Sequence, residues 1–223
     1  MGKLIVFEGV DGSGKSTQYA RLCQKLAAAG TPYRGLVFPQ YDKPSSALIR
    51  MYLAGDFGEK PGDVNAYAAS SFFAVDRYAS YRQDWGAFYQ AGGLVVTDRY
   101  TTSNAVHQAA KLPVGEREEF LRWLFAYEYD RLGLPAPDLV LFFDVDLATS
   151  LGHLRGREAA THTRADIHER DDGFLSASIQ AARQAAALCG WTRLDCGTAD
   201  TPKNIEEVGR AVDAAVETLC RLS

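Results

Sequence analysis

Leu4-Ile5-Val6-Phe7-Glu8-Gly9-Val10-Asp11-Gly12-Ser13-Gly14-Lys15-Ser16 is the stretch that decides the fold. Leu4 to Phe7 is a short continuous apolar run, which reads as a strand buried on both faces, the kind that parallel sheets contain. Gly9 to Ser16 fits G-x-x-x-x-G-K-[ST]. The motif lies directly after that strand and directly before a helical pattern from about Lys15 to Ala29, with Tyr19, Leu22, Cys23 and Leu26 on one face and Gly30 as the stop. Phosphate chemistry explains the residue types. Glycines permit the backbone angles and close approach that let N–H groups wrap a phosphate. The helix N-terminus adds partial positive charge. Lys15 can reach the β- and γ-phosphates of a nucleotide, and Ser16 can ligate Mg²⁺. The candidate nucleotide-holding residues are Gly9, Gly12, Ser13, Gly14, Lys15, Ser16 and Thr17.

Outward from this stretch, strands are expected at Gly35–Phe38, Leu94–Thr97, Leu139–Phe143 and Trp191–Leu194. Helical patterns separate them: Ser45 to Ala54, Val64 to about Gln90, Arg117 to Arg131, two between Phe143 and Trp191, and a closing one from Ile205 to Leu222. Strands alternating with helices imply βαβ crossovers and a mostly parallel sheet with helices on both faces. The expected fold is α/β, a three-layer P-loop NTPase fold with a five-stranded parallel sheet flanked by helices. No repeat, linker or composition break divides it, so 1–223 reads as one domain. The charge-rich segment at about 155–172 is the candidate lid.

The 223 residues are 47% hydrophobic, enough for one well-buried core. A formal net charge of −4 without a basic run argues against nucleic acid as a partner. Cys23, Cys189, Cys196 and Cys220 form no C-x-x-C pair, which disfavours a zinc site or disulfide framework. No apolar run reaches membrane-spanning length and no signal peptide is legible. A soluble cytoplasmic protein with no membrane partner is expected.

Asp98 and Asp144 each end an expected strand. Ligands in open α/β sheets bind beyond the carboxyl ends of the strands, so both acids are candidates for the metal end of the site, although either could cap a helix. Phe73 and Arg77 stand four apart on one helix face. An aromatic there can stack on a base while the arginine holds a phosphate or carbonyl. Asp98-Arg99-Tyr100 leads into Thr102-Ser103-Asn104-Ala105-Val106-His107-Gln108, where amide and hydroxyl groups recur at helical spacing.

Taken together, these residues resemble the thymidylate kinase family. The likeness rests on Phe7-Glu8-Gly9-Val10-Asp11 with its P-loop, Phe38-Pro39 after the second strand, Phe73 with Arg77, Asp98-Arg99-Tyr100 with Ser103, and Asp166-x-x-Glu169 in the lid. It runs from Leu4 to about Phe174. The resemblance implies ATP and dTMP as substrates, Mg²⁺ held by Ser16 and Asp98, and a homodimer. It implies that Asp11 holds the sugar 3′-hydroxyl and the acceptor geometry, that Arg99 clamps the acceptor phosphate, that Phe73 stacks on thymine, and that Arg77 faces a base carbonyl. Pro39, Ser103, Asn104, His107 and Gln108 would line the acceptor pocket, with His107 crowding the sugar 2′ position. Gly12 stands where one branch of the family has a P-loop arginine. Relatives lacking it carry theirs in the lid, which points to Arg157 and Arg164 as the catalytic pair among Arg155, Arg157, Arg164 and Arg170.

Rival readings are a deoxynucleoside kinase, a kinase for another nucleoside monophosphate, and a nucleotide-binding switch without turnover. No N-K-x-D guanine-reading motif supports the last.

Overall fold

The computed structural model describes residues 1–161, 167 and 171–221, with backbone alone at 157–161 and 220. Five strands, β1 (Lys3–Glu8), β2 (Tyr33–Val37), β3 (Leu94–Asp98), β4 (Leu139–Asp144) and β5 (Thr192–Asp195), form one sheet in the order β2-β3-β1-β4-β5. Every pairing is parallel, and Ile5 lies opposite Val96 on one side and Leu139 on the other. The α-helices of the described residues are α1 (Lys15–Ala28), α2 (Ala47–Ala54), α3 (Ala66–Ser80), α4 (Gly86–Gln90), α5 (Thr101–His107), α6 (Arg117–Phe125), α7 (Leu147–Thr161), α8 (Asp172–Cys189) and α9 (Ile205–Arg221).

The period of two along a strand creates the layers. Ile5 and Phe7 of β1, with Val96 of β3, pack against Leu22 of α1, Ile179 of α8 and Val212 of α9. Leu4 and Val6, with Val95, pack on the opposite face against Trp85 and Tyr89. β1 is therefore buried on both faces, as its unbroken apolar run requires. β2 is an edge strand with only Leu36 buried, which explains why hydrophobicity alone places its start two residues late.

Two expected helices are interrupted. The single helix expected over 64–90 is α3, a π turn at Tyr81–Trp85, and α4. The helix expected over 117–131 is α6 followed by a π turn at Ala126–Arg131. A π turn adds one residue to a helical turn and re-aims the chain beyond it, and such turns are frequent at functional sites. The first carries Trp85 into the core, and the second carries Glu128. Among the described residues no helix is long and apolar enough to cross a membrane.

Candidate active site

The P-loop joins β1 to α1 at the carboxyl edge of the sheet. Gly12 and Gly14 have φ of 75° and 81°, angles that side-chain-bearing residues rarely adopt. Gly12 has a second constraint, because a Cβ there would lie 2.4 Å from the Ser150 carbonyl oxygen of α7. Two side chains of α7 seal this contact: Ser150 Oγ donates to the Asp11 carbonyl at 2.6 Å, and His153 Nδ1 lies 2.7 Å from the Gly12 carbonyl, to which it donates. Lys15 is buried beneath the loop, with Nζ 3.3 Å from the Val10 carbonyl and 3.7 Å from Asp11 Oδ1. Burial lowers the pKa of Lys15; neighbouring Arg99 lowers it further, and Asp11, Asp98 and Glu8 oppose both.

Two pockets open from the sheet edge. The larger, about 1000 Å³, is lined by Asp11 through Gln18, with Asp98, Arg99, His153, Cys196 and the segment Lys203–Glu206. The smaller, about 230 Å³, is lined by Phe73, Arg77, Tyr100, Ser103, Asn104, His107 and Gln108 among others. Asp11, Phe38, Pro39, Tyr41 and Arg99 belong to both.

Arg99 stands on this shared wall. Among the described residues it is the one non-glycine with positive φ, 70°, and such angles cluster where function over-determines the backbone. The Arg99 amide donates to the Phe7 carbonyl, which holds the turn at the end of β3. Its guanidinium donates to Asp11 Oδ1 at 2.5 Å and to Ser103 Oγ at 3.4 Å, and lies 3.9 Å from Glu8 Oε1. Arg99 Nη1 also lies 3.0 Å from His107 Nε2. A guanidinium only donates, so His107 accepts there and carries its proton on Nδ1. Burial disfavours the Arg99 charge, but the carboxylates of Asp11, Glu8 and Asp98 outweigh that and raise its pKa.

Glu8, which ends β1, is wholly buried and accepts from Gly9 N, Thr102 Oγ1 and Ser103 Oγ at 2.9, 2.6 and 2.8 Å. Burial raises its pKa, while Arg99 and these donors oppose the rise. In the smaller pocket, Phe73 meets Tyr52 edge to face, and Arg77 is buried against Glu128. Gln108 Oε1 is buried and has no partner among the described residues. Asp76 holds the loop after Pro39 by accepting from Gln40 N and Ser45 Oγ.

The structure thus brings together Asp11, Lys15, Pro39, Phe73, Arg77, Asp98, Arg99, Ser103, Asn104, His107 and Gln108. Asp98 is buried with Oδ1 unpartnered among the described residues, at the edge of the larger pocket. Asp144, expected beside Asp98 at the metal end of the site, is instead bound into ion pairs. Its oxygens are taken by Arg183 Nε at 2.8 Å and Arg193 Nε at 2.6 Å, and it does not line the pocket. Nor does it cap a helix, since Asp146 accepts from Thr149 N at the start of α7. Arg164, Asp166, Glu169 and Arg170 lie outside the described residues, as does the side chain of Arg157. Sequence reading assigns no role to Glu8, Glu128 or Asp76. A charged residue ending a buried strand is the available signal for Glu8, and a glutamate four residues after Leu124 on an apolar face is the signal for Glu128.

A P-loop facing a second pocket across a paired arginine defines a P-loop phosphotransferase, a kinase of small molecules. A model of the family described as "Thymidylate kinase" matches residues 7–208. The chain belongs to the thymidylate kinase family. It is 33% identical over 189 residues to "Thymidylate kinase" of Mycobacterium tuberculosis strain H37Rv, covering 84% of this chain and 87% of that protein. It is 35% identical over 170 residues to "Thymidylate kinase" of Homo sapiens, covering 74% and 73%. A solved structure of thymidylate kinase from Candida albicans shares the fold, with a TM-score of 0.67 and 23% identity over 97% of this chain and 92% of that one.

Proposed function

We propose that the chain transfers the γ-phosphoryl group of ATP to dTMP, giving ADP and dTDP. The observation that carries this reading is the position of Arg99 on the wall shared by the two pockets, paired with Asp11 of the P-loop. ATP would lie in the larger pocket with its phosphates on Gly9 to Thr17, and dTMP in the smaller one. An oxygen of the acceptor phosphate attacks the γ-phosphorus as the bond to the β–γ bridging oxygen breaks. A phosphomonoester with a second pKa of about 6 is already ionised at neutral pH, so no general base is required.

Catalysis then rests on position and charge. Lys15 meets the β- and γ-phosphates. Arg99 exchanges part of its pairing with Asp11 for the acceptor phosphate and swings it into line, while Asp11 is released toward the sugar 3′-hydroxyl. Phe73 stacks on the base, Arg77 and Gln108 face its edge, Asn104 and Ser103 complete the wall, and His107 crowds the 2′ position. Gly12 cannot bear an arginine because α7 closes against it, so Arg157 and Arg164 of the 155–172 lid are assigned the remaining positive charge.

The hydroxyl of Ser16 and the Asp98 oxygen that has no partner among the described residues are hard oxygen donors on one rim, which suits Mg²⁺. When bound there, the ion supplies charge neutralisation at the donor phosphates. The exposed apolar side chains of Leu48 and Met51 on α2 and of Val75 and Tyr78 on α3 support a homodimer, which light scattering tests. The free thiols of Cys23, Cys189 and Cys196 suit a reducing cytoplasm.

The deciding experiment is a coupled ADP-release assay with ATP, Mg²⁺ and a panel of acceptors. dTMP should clearly exceed dCMP and dGMP. Its advantage over dUMP is smaller, because one methyl in a pocket is worth about 1–3 kcal/mol. UMP should be worse than dUMP. Equal kcat/KM for dTMP and CMP would overturn the acceptor assignment, and a preference for thymidine would make the protein a nucleoside kinase.

A further inference from the structure

Glu128 lies wholly buried in the π turn after α6 and does not line the acceptor pocket. Four donors from two other elements converge on its carboxylate. Arg77 Nε of α3 donates to Oε2 at 2.7 Å and Arg77 Nη2 donates to Oε1. Thr101 Oγ1 of α5 donates to Oε2 at 2.7 Å, and Asn104 Nδ2 to Oε1 at 3.3 Å. Arg77 and Asn104, unlike Glu128, do line the pocket.

The guanidinium has five N–H donors in one plane. Glu128 engages the Nε edge and one Nη2 hydrogen, and Nη1 reaches the Tyr100 carbonyl only at 3.4 Å. What remains for the pocket is a fixed edge of donors without an acceptor among them. The paired fork locks both the tilt and the rotation of the plane, which a lone arginine on a helix would not hold. Without the carboxylate, a guanidinium buried to 2% exposure would also be an unpaired interior charge.

We infer that Glu128 is the positioning residue for acceptor selection: by fixing Arg77 as a donor-only edge, it makes the pocket favour a pyrimidine with a carbonyl over one with an amino group. The inference rests on the acceptor reading above. A carbonyl satisfies the edge of Arg77. An amino group sets donor against donor and leaves buried N–H groups unpaired, the kind of mismatch that discriminates strongly. The π turn is the device that delivers the carboxylate, because it re-aims the helix end toward α3 and α5.

The test measures kcat and KM for dTMP, dCMP and ATP in wild type, Glu128→Gln, Arg77→Met and the double variant Arg77→Met/Glu128→Gln. Glu128→Gln should lower the dTMP-over-dCMP preference by at least about tenfold, chiefly through the KM for dTMP, with the KM for ATP changed less than about twofold. The double variant removes both charges, leaves a neutral interior and should fold even if Glu128→Gln does not. Its preference should equal that of Arg77→Met, because Glu128 acts only through Arg77. A further loss of preference in the double variant, or a folded Glu128→Gln that keeps the wild-type preference, overturns the inference alone. A wild-type protein that turns over both acceptors equally overturns the acceptor reading as well.

Discussion

The guanidinium of Arg99 donates to the Asp11 carboxylate at 2.5 Å and so ties the end of β3 to the P-loop. Arg99 has φ of 70°, an angle at which glycine is unstrained. Arg99→Gly therefore removes the head group while relieving the backbone. Turnover kinetics should show kcat/KM for dTMP reduced by at least about a hundredfold, with thermal unfolding still cooperative. A folded variant with near-normal kcat/KM would remove Arg99 from the mechanism.

Lys15 is buried, and burial lowers its pKa, so its ammonium is held there at a desolvation cost. Lys15→Met takes that cost away and keeps the length of the side chain. The variant should melt no lower than wild type yet lose at least about a hundredfold in kcat. Calorimetry and single-turnover kinetics on the same preparation check both halves, and normal turnover in a folded variant would sink the P-loop assignment.

Asp98 and Asp144 end neighbouring parts of the same edge but have opposite surroundings. Asp98 has an unpartnered oxygen among the described residues, whereas Asp144 is held by Arg183 and Arg193. Asp98→Asn should raise the Mg²⁺ concentration needed for half-maximal rate by about tenfold or more. Asp144→Asn should leave that requirement unchanged and lower the melting temperature instead. Titrating Mg²⁺ at saturating ATP distinguishes them, and an equal shift in both variants would contradict the assignment.

Lys111 donates to the Val64 carbonyl at 2.9 Å and lies 4.9 Å from the Tyr52 ring centre. Burial pushes its pKa down to about 7, although the ring face and the carbonyl favour the charged form and work against that. A lysine lowered on folding binds fewer protons in the folded than in the unfolded chain between about pH 7 and its unfolded value near 10.4, so stability rises with pH across that window. Lys111→Met should raise the melting temperature at about pH 6.5, with the gain shrinking toward about pH 9. Melting curves across that range check the sign, and a gain that grows with pH refutes it.

The strand, P-loop and first helix are legible in the sequence because they are adjacent in the chain and each residue type answers a local demand. The five-stranded parallel fold follows from the same alternation. The pairing of Asp11 with Arg99 is not legible, since 88 residues separate them and only the β1–β3 register brings them together. Asp144 misleads for a related reason. Its position at a strand end is visible, but Arg183 arrives from α8 and Arg193 from β5, and neither approach has a local signature. Glu128 escapes notice because the π turn that aims it depends on the buried partners it meets.

The closure of α7 over Gly12 makes two distant positions interdependent in sequence change. An arginine introduced at position 12 would collide with the Ser150 backbone, and no replacement of the Ser150 side chain alone would relieve that, because the obstructing atom is a carbonyl oxygen. The His153 and Ser150 bonds would have to be given up with it. Substitutions at the two sites are thus epistatic: a lineage carrying this helix placement can acquire an arginine at position 12 only after the helix retreats. Chimeras that exchange P-loops between relatives should therefore carry their own α7 with them.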